Sequence, residues 1–175
     1  MKVIDTPLPG VRIIEPQVFG DARGFFVESF NARRYRDEAG LELAFVQDNT
    51  SRSRRDVLRG LHFQRQHPQG KLIQVIEGSA FDVTVDIDPR SRTFGRYFAV
   101  ELSADNHRQL WVPPGYAHGF CVTSDTLLLQ YKCTAYYDPE DEAGIAWNCP
   151  RLAIPWPVQA PILSKKDQHL PGLGQ

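Results

Sequence analysis

The sequence predicts a mainly β protein whose strands close into a barrel or a double-sheet jelly roll, with one or two short helices. Three observations carry this. Thirteen glycines and thirteen prolines punctuate short runs rich in Val, Ile, Phe, Tyr and Thr, the pattern of many short strands joined by turns. Phe81, Val83, Val85 and Ile87 alternate with Asp82, Thr84 and Asp86, a period of two with one apolar face. A sheet of that many strands must hide its edges, and closure does so while leaving a mouth lined by alternate inward side chains.

In chain order, strands are predicted over 12–16, 24–30, 45–51, 57–64, 72–76, 81–87, 96–102, 109–112, 119–123 and 127–136. Glu77-Gly78-Ser79 is predicted as a hairpin turn between the fifth and sixth of these, with glycine supplying a positive φ. Asn31 is placed to cap a helix over Ala32–Ala39, and Gly40 to close it in the left-handed conformation. A second, shorter helix is predicted around 164–168.

With 175 residues, 42% of them hydrophobic and 11% aromatic, the chain is predicted to form one domain spanning 1–175. Twenty basic residues against 21 acidic ones provide no global attraction to nucleic acid or to an anionic membrane, so neither is an expected partner and any anion must be bound locally. The N-terminus has two prolines and scattered polar residues instead of a continuous apolar stretch, and a cytoplasmic location is expected. Cys121, Cys133 and Cys149 are an odd number at wide spacing, which reads as buried thiols and not as a disulfide framework or a zinc knuckle.

The densest polar cluster within strand-like sequence is Gln47-Asp48-Asn49, then Arg59-Gly60-Leu61-His62-Phe63-Gln64, then Lys71. Alternation places Gln47 with Asn49 on one face, and His62 with Gln64 on one face. Arg59 is out of phase with His62 unless Gly60 forms a bulge, and a bulge is expected because strand glycines serve that purpose next to active sites. A lone strand histidine is usually a core or rim residue. Charged and amide side chains aimed into a barrel, however, are expensive to bury unless they are paired or meet a ligand. Arg52, Arg54 and Arg55 fit a solvated face.

The second cluster runs from Trp111 to Phe120. Its P-x-G-x-x-H spacing, Pro113, Gly115 and His118, resembles the second motif of the cupin superfamily and implies a cupin-like jelly-roll β-barrel. In metal-binding cupins this histidine joins an H-x-H pair and a glutamate, whereas the first motif here reads His62-Phe63-Gln64. Two histidines and a neutral amide are too few strong ligands for zinc or ferrous iron, so no metal is expected.

At larger scale the chain resembles the dTDP-4-dehydrorhamnose 3,5-epimerases of the L-rhamnose pathway. The resemblance rests on Phe19-Gly-Asp-Ala-Arg23-Gly-Phe-Phe-Val-Glu28, Gln47-Asp-Asn49, Val57-Leu-Arg59-Gly-Leu-His62-Phe-Gln64, Gln69-Gly-Lys71, Leu110-Trp-Val-Pro-Pro-Gly-Tyr-Ala-His118, Tyr131-Lys-Cys-Thr-Ala-Tyr-Tyr137 and Leu163-Ser-Lys-Lys166-Asp167. It implies a metal-independent isomerase without a cofactor, acting on a dTDP-linked 4-keto sugar whose C3 and C5 hydrogens are acidified by the ketone. Such chemistry needs a base of near-neutral pKa and a donor at the developing enolate oxygen. His62 suits the first role and Lys71 the second. Tyr131 matches the family's acid, and Asp167 matches the aspartate that orients the histidine. Arg23 and Arg59 would take phosphate oxygens, and Tyr137 would stack on the base. Glu28, Gln47, Asp48, Asn49, His118, Glu142 and Lys166 match the family's substrate-contacting positions. The resemblance also implies a homodimer in which Arg23 and Glu28 serve the neighbouring subunit's site. Two departures are Cys149, where the family usually has aspartate, and Ala143. Other readings at this point are a single-carbon epimerase or ketoisomerase on the same scaffold, and a non-catalytic sugar-binding cupin.

Overall fold

The computed structural model describes residues 1–42 and 44–174. Its strands are β1 (Lys2–Asp5), β2 (Arg12–Glu15), β3 (Val18–Asp21), β4 (Gly24–Val27), β5 (Gln47–Arg54), β6 (Leu58–Gln64), β7 (Lys71–Glu77), β8 (Ser79–Asp86), β9 (Tyr97–Ser103), β10 (Gln109–Val112), β11 (Tyr116–Val122), β12 (Thr126–Cys133) and β13 (Glu142–Gly144). Helix α1 spans Ala32–Ala39, and a 3₁₀ turn spans Asp167–His169. Strands β1-β2-β10-β7-β12-β5 form one sheet and β13-β6-β11-β8-β9 a second, with β3 and β4 a separate hairpin. Every strand-to-strand pairing is antiparallel. The two sheets face each other as a cupin-like jelly roll. Among the described residues no helix is long and apolar enough to cross a membrane.

Helix α1 follows from local sequence. The Asn31 side chain accepts the Arg34 N–H at 3.2 Å, and Gly40, at φ 65°, returns its N–H to the Arg36 carbonyl, satisfying orphan groups at both ends. The C-terminal segment instead makes only the 3₁₀ turn, shorter than the helix expected over 164–168.

One expectation needs correction. Glu77-Gly78-Ser79 does not close a hairpin: β7 and β8 lie in different sheets, and Gly78, at φ 83°, turns the corner between them. A Cβ there would lie 2.0 Å from the Thr126 carbonyl oxygen, so the corner admits only glycine. The sequence left open which way the apolar face of β8 points, and in the structure it does not point into the sandwich. Val83 and Val85 pack outward with Leu61, Ile145, Cys149 and Leu152, beneath the C-terminal segment. Asp82 and Thr84, both 0% exposed, share the inner face with Ala80. The strand is covered on both sides, and the period of two marks where polar groups were needed inside.

The interior grades from apolar to polar along the strands. Val75 and Ile73 lead to Lys71 on β7, Leu127 and Leu129 to Tyr131 on β12, and Val122 and Phe120 to His118 on β11. The apolar end is the core, in which Ile73, Leu110, Leu127 and Leu129 are fully buried. The polar end is a cavity. Outside the first sheet, α1 covers Ile14, Leu72 and Trp111 with Tyr35 and Ala39. All three cysteines are buried and free, as expected.

Candidate active site

The cavity, about 440 Å³, is lined by Arg59, His62, Lys71, His118, Tyr131 and Asp167 among others. One wall comes from β6 and β11. His118 pairs with His62 and Phe120 with Arg59, so β6 carries one more residue than β11 between these points. This is the expected bulge, centred on Gly60 at φ 118°, and it turns Arg59 and His62 to the same cavity. A Cβ on Gly60 would meet the Gly119 Cα at 2.6 Å. Gly60→Ala is therefore expected to cost about 2–4 kcal/mol through backbone strain and overpacking. It should appear as a melting temperature lower by roughly 4–16 °C for a chain of this size; an unchanged melting curve would contradict this account of the bulge.

His62 Nε2 lies 2.5 Å from Asp167 Oδ1. Asp167 is 3% exposed. Burial alone would raise its pKa, but hydrogen bonds from His62, the Ser164 hydroxyl and the Gly60 N–H outweigh that and hold it below the usual carboxylate value. An ionised carboxylate accepts, so Nε2 is the ring nitrogen that donates to it. On the same wall, His118 Nε2 faces both oxygens of the buried Asp82 at 2.9 and 3.0 Å.

The opposite wall belongs to the first sheet. Tyr131 and Lys71 project from β12 and β7, with Lys71 Nζ 6.0 Å from the centre of the Tyr131 ring. Burial pushes the Tyr131 phenol above its ordinary pKa. Burial pushes Lys71 below its own, opposed by charge on Cys133, Glu142 and Asp82. On neighbouring β5, Gln47, Asn49 and Ser51 share the inner face. The Gln47 amide donates to Asn49 Oδ1 at 3.0 Å, and the Asn49 amide donates to Cys133 Sγ at 3.5 Å. Asp48 does not join them. Strand alternation turns it outward, where it pairs with Lys132 at 2.9 Å, so its place in the expected contact set is corrected.

At the mouth, the Tyr137 hydroxyl donates to Glu142 Oε2 at 2.6 Å and Lys166 pairs with the same carboxylate. The bond to Glu142, with burial, pushes the Tyr137 phenol up to about 12. Burial raises Glu142, but Lys166, Tyr137 and His62 together bring it below its ordinary value. Arg59 is exposed, and among the described residues its side chain donates only through Nε, to Ser53 Oγ at 3.1 Å.

Two further expected residues stand apart from this cavity in the single chain. Arg23 lies at the tip of the β3–β4 hairpin, its side chain 90% exposed and forked onto Asp21. Glu28 pairs with Arg34 and Asn31. Gln64, on the face predicted with His62, is instead engaged with backbone groups of the 65–67 and 136–138 segments. Sequence reading overlooked Ser51, Asp82 and Ser164. Ser51 was legible, since alternation continues the Gln47, Asn49 face; Asp82 was not, because nothing local says that the polar side of β8 is the inner one.

Comparison with known proteins places this geometry. A family model described as dTDP-4-dehydrorhamnose 3,5-epimerase matches residues 5–175. The chain is 54% identical over 172 residues to the dTDP-4-dehydrorhamnose 3,5-epimerase of Escherichia coli, covering 97% of this chain and 93% of the relative. The crystal structure of the dTDP-6-deoxy-D-glucose-3,5-epimerase of Legionella pneumophila Philadelphia 1, in complex with dTDP-4-keto-L-rhamnose, is similar at a TM-score of 0.95 and 50% identity, over 98% of this chain and 92% of that one. A 3'-monoepimerase from Streptomyces bikiniensis in complex with dTDP-quinovose is similar at 0.88 and 31%, over 95% and 86%.

Proposed function

Because the chain belongs to the dTDP-4-dehydrorhamnose 3,5-epimerase family, we propose that His62 and Tyr131 are its base and acid, acting from opposite walls of the cavity on dTDP-4-dehydro-6-deoxy-D-glucose to give dTDP-4-dehydro-L-rhamnose. The protein is a sugar-nucleotide isomerase. The C4 ketone lowers the barrier to losing hydrogen from C3 or C5 by accepting the electron pair as an enolate. Lys71 stands where an ammonium meets that oxygen in a poorly solvated site, where a fixed charge acts strongly. His62 takes the proton, with Asp167 steadying the imidazolium. Tyr131 gives a proton to the carbon from the other side, and the stereocentre inverts. The single observation that carries this reading is topological: His62 and Tyr131 belong to different sheets and line one cavity.

The remaining assignments are carried over from the family resemblance, with position in support. Arg59 keeps most of its guanidinium free for phosphate, and Tyr137, half exposed beside Glu142 and Lys166, presents a face for the base. Gln47, Asn49 and His118 contact the sugar. The β3–β4 hairpin exposes Phe19, Phe25 and Phe26 at 57, 63 and 68%, more apolar surface than an isolated chain would carry without function. The protein acts as a homodimer in which this hairpin brings Arg23 and Glu28 to the neighbouring site, and it works in the cytoplasm.

Turnover in heavy water tests the reaction. Deuterium at both C3 and C5 of the product is the expected outcome. Label at one carbon would assign a single-carbon epimerase instead, and label at neither would leave only binding.

A further inference from the structure

We propose that Gln64 is a positioning residue for Tyr137, its side-chain amide fixing the backbone on both sides of that ring and thereby the seat of the nucleotide base. The proposal rests on the stacking role assigned to Tyr137 above. Gln64 is 4% exposed, and its amide is used on three backbone groups. Nε2 donates to the His67 carbonyl at 2.7 Å and to the Tyr136 carbonyl at 3.2 Å. Oε1 accepts the Asp138 N–H at 2.9 Å. The two residues flanking Tyr137 are thus held by one side chain.

Strand β12 ends at Cys133 and β13 begins at Glu142, so no ladder fixes the intervening backbone. Side chains do so instead. Besides Gln64, Gln47 Oε1 accepts the Tyr137 N–H at 2.9 Å. The buried Asp141 carboxylate accepts the N–H groups of Arg65, Gln66 and His67 at 2.8–3.2 Å. Burial raises Asp141, but these three bonds outweigh it and leave its pKa lowered. The segment carrying Tyr137 is therefore fastened to the end of β6, two residues beyond His62. A space of about 480 Å³ bordered by Val46, His67, Ala135 and Tyr136 lies beside Tyr137, so the ring has room to leave its position once the amide is gone. Two carbonyls and one N–H, all part-buried, would then lose their bonds to the amide, and water is the partner that replaces it, which frees the segment to move outward.

The test compares the unaltered enzyme with Gln64→Met, Gln64→Asn, Tyr137→Leu and the Gln64→Met/Tyr137→Leu double variant, measuring the Kd for dTDP by calorimetry, KM, kcat and the melting temperature. Methionine keeps the side chain's length without its hydrogen bonds; asparagine keeps the amide but withdraws it, and serves if the methionine variant does not fold. The expected result for Gln64→Met is dTDP binding and KM weakened by about tenfold with kcat within about twofold, and a double variant binding dTDP no more weakly than Tyr137→Leu alone. A general loss of structure would lower kcat and the melting temperature without that split. Unchanged dTDP affinity in the Gln64 variants, while Tyr137→Leu weakens it, overturns the positioning role alone, as do multiplicative effects in the double variant. Unchanged affinity in Tyr137→Leu overturns the stacking reading and this inference with it.

Discussion

His62→Ala should stop solvent deuterium from entering either C3 or C5 and should lower turnover by roughly 10²–10⁴-fold, the usual contribution of a positioned general base. In the proposed mechanism one base serves both carbons, because C3 and C5 flank the same ketone. The side chain of His62 is 27% exposed, open enough for its proton to exchange with water between steps. Nuclear magnetic resonance of substrate recovered from heavy water reads both carbons at once. Exchange persisting at one of them would require a second base, and His118, already paired with Asp82 on the same wall, would be the first to test. Normal turnover in the variant would remove His62 from the mechanism.

Tyr131→Phe should separate two events that the unaltered enzyme couples. With the base intact, hydrogen is still removed and solvent deuterium returned from the same face, so exchange should survive within about tenfold. Inverted product should fall by roughly 10²-fold or more, because the donor on the far wall is missing. The raised pKa of the buried phenol keeps it protonated across the neutral range, so a proton is available whenever an enolate forms. Equal loss of exchange and inversion would place Tyr131 at the deprotonation step; undiminished inversion would assign the far-side proton to another donor.

Much of this arrangement was written in local sequence. The α1 boundaries followed from Asn31 and Gly40 because capping bonds reach only a few residues. The Gly60 bulge followed from phase: Arg59 and His62 cannot share a face of a regular strand. Asp167 came only through family resemblance. It lies 105 residues from His62, and no periodicity connects a 3₁₀ turn near the C-terminus with a strand in the first half of the chain. Asp48 was misplaced for the opposite reason, since a contiguous polar triplet resembles a cluster although alternation splits it between two faces.

Composition, alternation and glycine placement were enough to specify a mainly β fold of short strands, its helix and its polar motifs, because each depends on interactions within a few residues. They did not specify which sheet each strand joins. The segments around Gly78 could equally make a hairpin or a corner, and the polar side of β8 could equally face water or the interior. Packing of distant strands resolved both, since burying Val83 and Val85 beneath the C-terminal segment leaves Asp82 and Thr84 no direction but inward. The same long-range pairing set His62 and Tyr131 on facing walls, which is the geometry that inversion at carbon requires.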